Sequence, residues 1–283
     1  MEERKNIVIT GITGLLGSTL KKVLQQQYNV YDIEVDIADS EAVKNYKIQG
    51  NIDWVIHTAA MTNVNQCEKE QQLCREVNVD GTKNVRDLAQ KYGAKLLYIS
   101  TVSVFSGEEG NYKETDAPSP KNFYNVTKHE GEKAVLSYEK GLVLRINIIG
   151  VHPDGSRGQN FFEWLVDSVK ANKDMKLFTD AMVNPLSNWT IAEFIENIIE
   201  KEPPERILHV GSSTVLSKAD IGKIVMEKFK YSGRVEYASI DSLAGAVRPK
   251  QMWLNTDYTS EKMNWKMPSL ESEIEKILNK INT

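Results

Sequence analysis

The stretch Ile7-Val8-Ile9-Thr10-Gly11-Ile12-Thr13-Gly14-Leu15-Leu16-Gly17 decides how this chain folds. Its β-branched start reads as a strand that stops at Gly11, and residues 15–27 take up the spacing of an amphipathic helix. Gly11, Gly14 and Gly17 stand three apart at the junction. Such a turn lets backbone approach a pyrophosphate and aims amide N–H groups and a helix N-terminus at its charge. The last glycine permits close helix–sheet packing. A tight βα turn that binds nothing is the plain alternative. The dinucleotide reading is favoured by position, at the first βα junction of a chain that goes on alternating.

Residues 30–35 read as a second strand, and Asp39-Ser40-Glu41 as the capped start of a helix. Asp53-Trp54-Val55-Ile56-His57 is a third strand, 95–100 a fourth and 142–146 a fifth. Helical spacing fills 65–91, in two pieces stopped by Gly93, and 124–139. Strands alternating with helices imply parallel βαβ units with right-handed crossovers, so residues 1–150 are expected to form an α/β, doubly wound parallel sheet that binds a nucleotide. A loop carrying Gly150, Pro153, Gly155 and Gly158 follows, then helical patterns over 161–170, 190–200, 218–230 and 271–280. Residues 151–283 are expected to form a smaller C-terminal lobe that binds substrate.

Over 283 residues, 35 Lys and Arg against 39 Asp and Glu leave a formal net charge of −4, so nucleic acid is not an expected partner. The apolar run 7–9 is far shorter than a signal-peptide core or a membrane span, and a cytoplasmic protein without membrane contact is expected. Cys67 and Cys74 are too few for a disulfide framework and read as reduced and structural. His57, His129, His152 and His209 form no metal-ligand motif, so no metal is expected. Neither a GxxxxGK[ST] phosphate loop nor a GxSxG elbow occurs, which argues against a P-loop ATPase and a serine hydrolase.

Tyr124 and Lys128 stand four apart, as do Tyr258 and Lys262. On a helix that spacing places both on one face, where an ammonium favours phenolate and lowers a phenol pKa of ~10 towards the working range. A tyrosine so tuned can protonate an alkoxide as it forms, while a nearby hydroxyl such as Thr101 holds the carbonyl oxygen. Tyr124 is preferred because it follows the fourth strand; Tyr258 reads as an ordinary surface residue.

The GxxGxxG spacing, Ser100-Thr101, Tyr124-x-x-x-Lys128, Gly131-Glu132, Arg248-Pro249 and the loop carrying Tyr112, Glu114, Asp116, Pro118 and Pro120 resemble the extended short-chain dehydrogenase/reductases. Within them the chain is similar to the dTDP-4-dehydrorhamnose reductase group, from the Gly11 turn to Arg248-Pro249. The resemblance implies a Rossmann-type fold, NAD(H) or NADP(H) as cofactor, and reduction of the C4 keto group of a 4-keto-6-deoxy sugar nucleotide for deoxysugar or polysaccharide biosynthesis. It implies that Gly11, Thr13, Gly14, Leu15, Leu16, Gly17, Ala59, Ala60, Met61, Asn78 and Ser100 meet the cofactor, with Asp36 and Ile37 closing over its adenine and Asn78 also bracing the active-site strand. Tyr124 would donate the proton, Lys128 would tune it and bind the nicotinamide ribose, and Thr101 would orient the carbonyl. Thr62, Val102, Trp189 and Arg248 would face the sugar nucleotide, Arg248 through a phosphate, and Trp253 is a further aromatic to place.

The chain departs from the group's pattern in three places. Ser-Thr-Asp reads Ser100-Thr101-Val102, Tyr-Gly-x-Ser-Lys reads Tyr124-Asn125-Val126-Thr127-Lys128, and Asn184 to Thr190 replaces a Gly-Ser-Pro-Thr-type loop. The catalytic groups survive; the identity of the substrate is left open. Asp32 or Glu34 ending the second strand, with no basic residue between Tyr28 and Lys44, leans towards NAD, although the group often accepts either cofactor. Two other readings stay open: a sugar-nucleotide epimerase or dehydratase that recycles its cofactor, and a non-catalytic subunit resembling the regulatory subunit of methionine adenosyltransferase. A homodimer is the expected assembly.

Overall fold

In the computed structural model, which describes residues 4–48, 50–153, 155, 160–243, 245 and 248–281, the strand Asn6–Thr10 (β1) enters the glycine turn and Leu15–Leu24 (α1) leaves it. Gly158 lies outside the described residues. Asn29–Asp32 (β2), Ser40–Asn45 (α2) and Trp54–His57 (β3) follow, and Asp39 caps α2 by accepting the amides of Glu41 and Ala42. The next segment is more broken than its periodicity predicts. Val64–Lys69 (α3) and Gln71–Arg75 (α4) lead through a π-helical turn at Glu76–Asp80 into Gly81–Tyr92 (α5), which Gly93 stops at φ 65°. Lys95–Thr101 (β4), Phe123–Leu136 (α6) and Gly141–Ile146 (β5) complete the first half.

The second half begins with Ile148–Ile149 (β6), Phe161–Lys170 (α7), Met175–Phe178 (β7), Met182–Val183 (β8) and Leu186–Ser187 (β9). It continues through Asn188–Lys201 (α8), Ile207–Val210 (β10), Leu216–Ser217 (β11), Lys218–Phe229 (α9) and Val235–Ala238 (β12). Gln251–Met252 (β13), Asp257–Met263 (α10) and Leu270–Ile281 (α11) close it.

The main sheet is parallel throughout, in the order β10-β5-β4-β3-β1-β2. Because side chains alternate along a strand, Ile7 and Ile9 pack with Leu16, Leu20, Phe194 and Ile195 on one face. Val8 between them turns to Val85, Leu88 and Val135 on the other. Strands covered on both faces need continuous apolar runs, as these are.

The expected division at residue 150 is corrected by this sheet. β10 pairs with the free edge of β5, from Ile207 against Val143 to Val210 against Ile146, and α8 packs beside α1 over the same core. Without them β5 would present unpaired backbone and the Ile7 face would lie half bare. The remaining lobe gathers β7 with β12, and β8 with β11 and β13, against α7, α9 and α11 over a core including Phe162, Leu177, Ile221 and Ile274.

Candidate active site

A cleft of about 1250 Å³ runs along the carboxyl ends of β1, β3 and β4 and under the lobe. At its floor stands the glycine turn, whose three glycines answer to different demands. Gly11 has φ 70°, a left-handed value, and a Cβ on Gly17 would stand 2.1 Å from the Gly11 carbonyl oxygen. Gly14 has φ −73° and a Cβ there would meet only the Gly11 oxygen, at 3.4 Å. Neither backbone strain nor packing therefore requires glycine at 14; what a side chain would fill is cleft. Gly14 also gives α1 no side-chain cap, so the first amides of the helix remain available to an anion. These features fit a dinucleotide pyrophosphate.

Below the turn, His57 is sealed between the hydroxyls of Thr10, at 2.7 Å, and Thr82, at 3.0 Å. Burial, reinforced by Lys128, pushes its pKa down to about 3, so it is a neutral tether between β1, β3 and α5.

Ala59, Ala60 and Thr62 line the cleft after β3, but Met61 does not. Met61 is instead clamped through its backbone: the side-chain oxygen of Asn78 accepts the Met61 amide at 2.8 Å and its nitrogen donates to the Met61 carbonyl at 3.1 Å. The same nitrogen reaches the Thr127 hydroxyl, at 3.0 Å, on α6. Asn78 is thus a buried brace and not a cofactor contact, and the π-helical turn that carries it accounts for its inward reach.

Thr101, Tyr124 and Lys128 line one stretch of the cleft. Asn122 caps α6 by accepting the Asn125 amide, which sets the tyrosine in the first turn at the mouth of β4. The Thr101 oxygen accepts the Ser103 amide at 3.1 Å, which leaves its proton to donate elsewhere. Lys128 is buried, donates from Nζ to the Ile99 carbonyl at 2.7 Å and lies 4.0 Å from the centre of the Tyr98 ring. Burial lowers its pKa to about 7, with Glu132 opposing. The expected lowering of the Tyr124 phenol is corrected: burial, then the Cys67 and Cys74 thiols, raise it. The ammonium is committed to Ile99 and the Tyr98 face rather than to the phenol.

Ser100 also lines the cleft, yet its hydroxyl donates to Glu132 at 2.6 Å. Glu132 takes the Arg145 fork through two contacts of 2.8 Å. Burial opposes its charge, but the Arg145 fork, His129 and Ser100 hold its pKa down to about 2. This network anchors the inner face of α6 to β4 and β5.

Of the other sequence-predicted residues, Gly11, Thr13, Gly14, Leu15, Leu16, Gly17, Asp36, Ile37, Val102 and Arg248 line the same cleft. Asp32 and Glu34 do not, so the acid nearest the end of β2 on the cleft wall is Asp36. Trp189 is corrected outright. It lies in the first turn of α8, on a separate cavity of about 540 Å³, with Lys22 and Lys280 5.5 and 4.1 Å from its ring centre. Trp253 packs against Gly110 and is not on the cleft. Tyr258 is 43% exposed on α10, as expected of a surface residue. Cys67 and Cys74 are buried free thiols.

Two cleft residues escaped the sequence reading. Asn125, noted only as a departure, is buried with neither side-chain polar atom hydrogen-bonded. Lys218, first residue of α9, faces Arg248 across the lobe. Its one local signal was electrostatic, since a cation at a helix N-terminus opposes the helix dipole.

Residues 5–283 match the family model described as the RmlD substrate binding domain. A dTDP-4-dehydrorhamnose reductase from Bacillus anthracis, solved in complex with NADP, is 27% identical and superposes with a TM-score of 0.91 over 99% of this chain and 100% of its own. A probable low-salt glycan biosynthesis reductase from Haloferax volcanii is 26% identical over 94% of this chain and 95% of its own. The methionine adenosyltransferase 2 subunit beta of Bos taurus is 36% identical over 51% of this chain and 47% of its own. With a family model matching nearly its whole length, over a fold and a glycine-floored cleft of the kind just described, the chain belongs to the RmlD substrate binding domain family.

Proposed function

We propose that this protein reduces the C4 keto group of a 4-keto-6-deoxy sugar nucleotide with NAD(P)H. The observation that carries the reading is the placing of Thr101, Tyr124 and Lys128 on the cleft that the glycine turn floors. The α1 amides and Gly14 would hold the cofactor pyrophosphate, Ala59 and Ala60 its ribose side, and Asp36 and Ile37 its adenine end. Bound there, the dihydronicotinamide supplies a hydride to the carbonyl carbon.

The chain's own groups do the rest. Thr101 keeps its proton and donates a hydrogen bond through it to the carbonyl oxygen, which orients that oxygen. Tyr124 gives its proton to that oxygen as negative charge develops, and its raised pKa keeps the proton in place until then. Lys128, its charge weakened by burial, stands beneath the site, and beyond its bond to Ile99 its Nζ has further protons to offer the nicotinamide ribose. Arg248 meets the substrate phosphate from the lobe.

Tyr124→Phe is expected to lower turnover by roughly 10²-fold or more while cofactor affinity stays nearly constant. Oxidation of NADH and NADPH against dTDP-, UDP-, GDP- and CDP-linked 4-keto sugars measures it, and full activity in the variant would refute the mechanism. The stretch shared with the methionine adenosyltransferase subunit supports a second, non-catalytic reading. Co-purification with a synthetase and no turnover of any keto sugar would select it. Conversion of a sugar nucleotide without net cofactor consumption would select an epimerase or dehydratase instead.

A further inference from the structure

The lobe wall of the cleft carries an unbalanced pair of cations. Lys218 and Arg248 both line it, whereas Asp36, at the far adenine end, is the sole carboxylate among the described lining residues. Neither cation has a hydrogen bond or ion pair among the described residues, and the Lys218 ammonium lies 5.0 Å from the centre of the Phe161 ring. Asp220, the nearest acid along the chain, is occupied by the Ser217 hydroxyl at 2.6 Å and Lys223 at 2.8 Å. Lys218 also opens α9, where the helix dipole is positive. Burial and the facing guanidinium both push its pKa below the ordinary lysine value. Apart from the Phe161 ring face, the burial, the guanidinium and the helix dipole all disfavour this charge, and an anion bridging both cations would reverse the balance.

We propose that Lys218 and Arg248 together hold the diphosphate of the sugar nucleotide, making Lys218 a substrate-positioning residue of the lobe. The inference rests on the reading of the substrate as a sugar nucleotide. A diphosphate suits the pair because it offers charged oxygens to two cations at once, whereas a monophosphate gives them less to share. The net charge of −4 makes such local cations necessary, since the protein as a whole repels the ligand.

The test is calorimetric titration of the full-length protein with dTDP, UDP, dTMP and UMP, in wild type, Lys218→Gln, Lys218→Arg and Arg248→Gln, with NADPH binding as the control for folding. Lys218→Gln is expected to weaken both diphosphates by about tenfold or more, with a smaller loss for the monophosphates. Lys218→Arg should recover most of the affinity, and NADPH binding should stay within about twofold of wild type, as cofactor and substrate sites are separate. Unchanged diphosphate affinity in Lys218→Gln overturns the proposal alone. A wild-type protein that binds no nucleoside diphosphate overturns both it and the sugar-nucleotide reading. Lys218-dependent diphosphate binding in a protein that reduces no keto sugar upholds the clamp and removes only the reductase reading.

Discussion

The Nζ of Lys128 donates to the carbonyl oxygen of Ile99 at 2.7 Å, inside the sheet edge rather than out towards the Tyr124 phenol. The lysine therefore sits where burial weakens its charge, and its pKa falls to about 7 from an ordinary 10.5. Between those values the folded chain binds fewer protons than the unfolded chain, so this group makes stability rise with pH across that window and leaves it level below about 7, where both states hold the proton. Lys128→Met is expected to flatten that slope. Parallel urea melts at several pH values between the two pKa values check it, and equal slopes in both proteins would count against the burial.

Asn78, itself buried, ties the loop after β3 to α6 through Met61 and Thr127. Asn78→Ala leaves the Met61 amide and carbonyl without those partners and is expected to cost about 2 kcal/mol or more. The Ala59 to Thr62 wall loosens with it, so the cofactor KM should rise more than kcat falls. Denaturation together with steady-state kinetics separates the two effects.

Gly14 and Gly17 should respond oppositely to the same added methyl. Gly14→Ala adds a Cβ that meets only one atom, at 3.4 Å, so the melting temperature should hold while NADPH affinity drops about tenfold or more. Gly17→Ala drives a Cβ to 2.1 Å from backbone and should cost roughly 3 kcal/mol or more, by the overpacking of helix on turn. Equal destabilisation of the two variants would show that position 14 is a packing glycine after all.

Asn125 buries a carboxamide with no hydrogen-bond partner for either polar atom. Such a group costs about 1–3 kcal/mol, and alanine is the better helix former. Asn125→Ala is therefore expected to raise stability by about 1 kcal/mol, net of lost packing, in thermal or urea unfolding. A destabilised variant would mean that the amide is satisfied in solution.

The elements of the sheet were legible because their signals are local. Ile7, Val8 and Ile9 alternate between two faces, the glycine turn is contiguous, and Tyr124 and Lys128 share one helix. The misplaced residues all depend on how elements meet. Trp189 has the aromatic character of a substrate contact, but α8 packs on α1 and carries it into a second cavity, beside Lys22 and Lys280. β10 has no signal that assigns it to β5, because pairing across 64 residues, from Val143 to Ile207, leaves no periodicity in either strand. Lys218 and Arg248 lie 30 positions apart in sequence and become a pair only when α9 and the loop before β13 line one wall.

By itself, the sequence determined which segments are strand or helix, where the glycine turn stands and which tyrosine has a lysine four residues on, since backbone sterics and side-chain period act over a few neighbours. Only the tertiary structure decided what each group faces. Lys128 lost its phenol to the Ile99 carbonyl, Asn78 found Met61 and Thr127 as the partners it braces, and the sheet reached past residue 150 to close its edge. Charge, hydrogen bonding and burial depend on partners brought from far along the chain, and no local pattern records those partners.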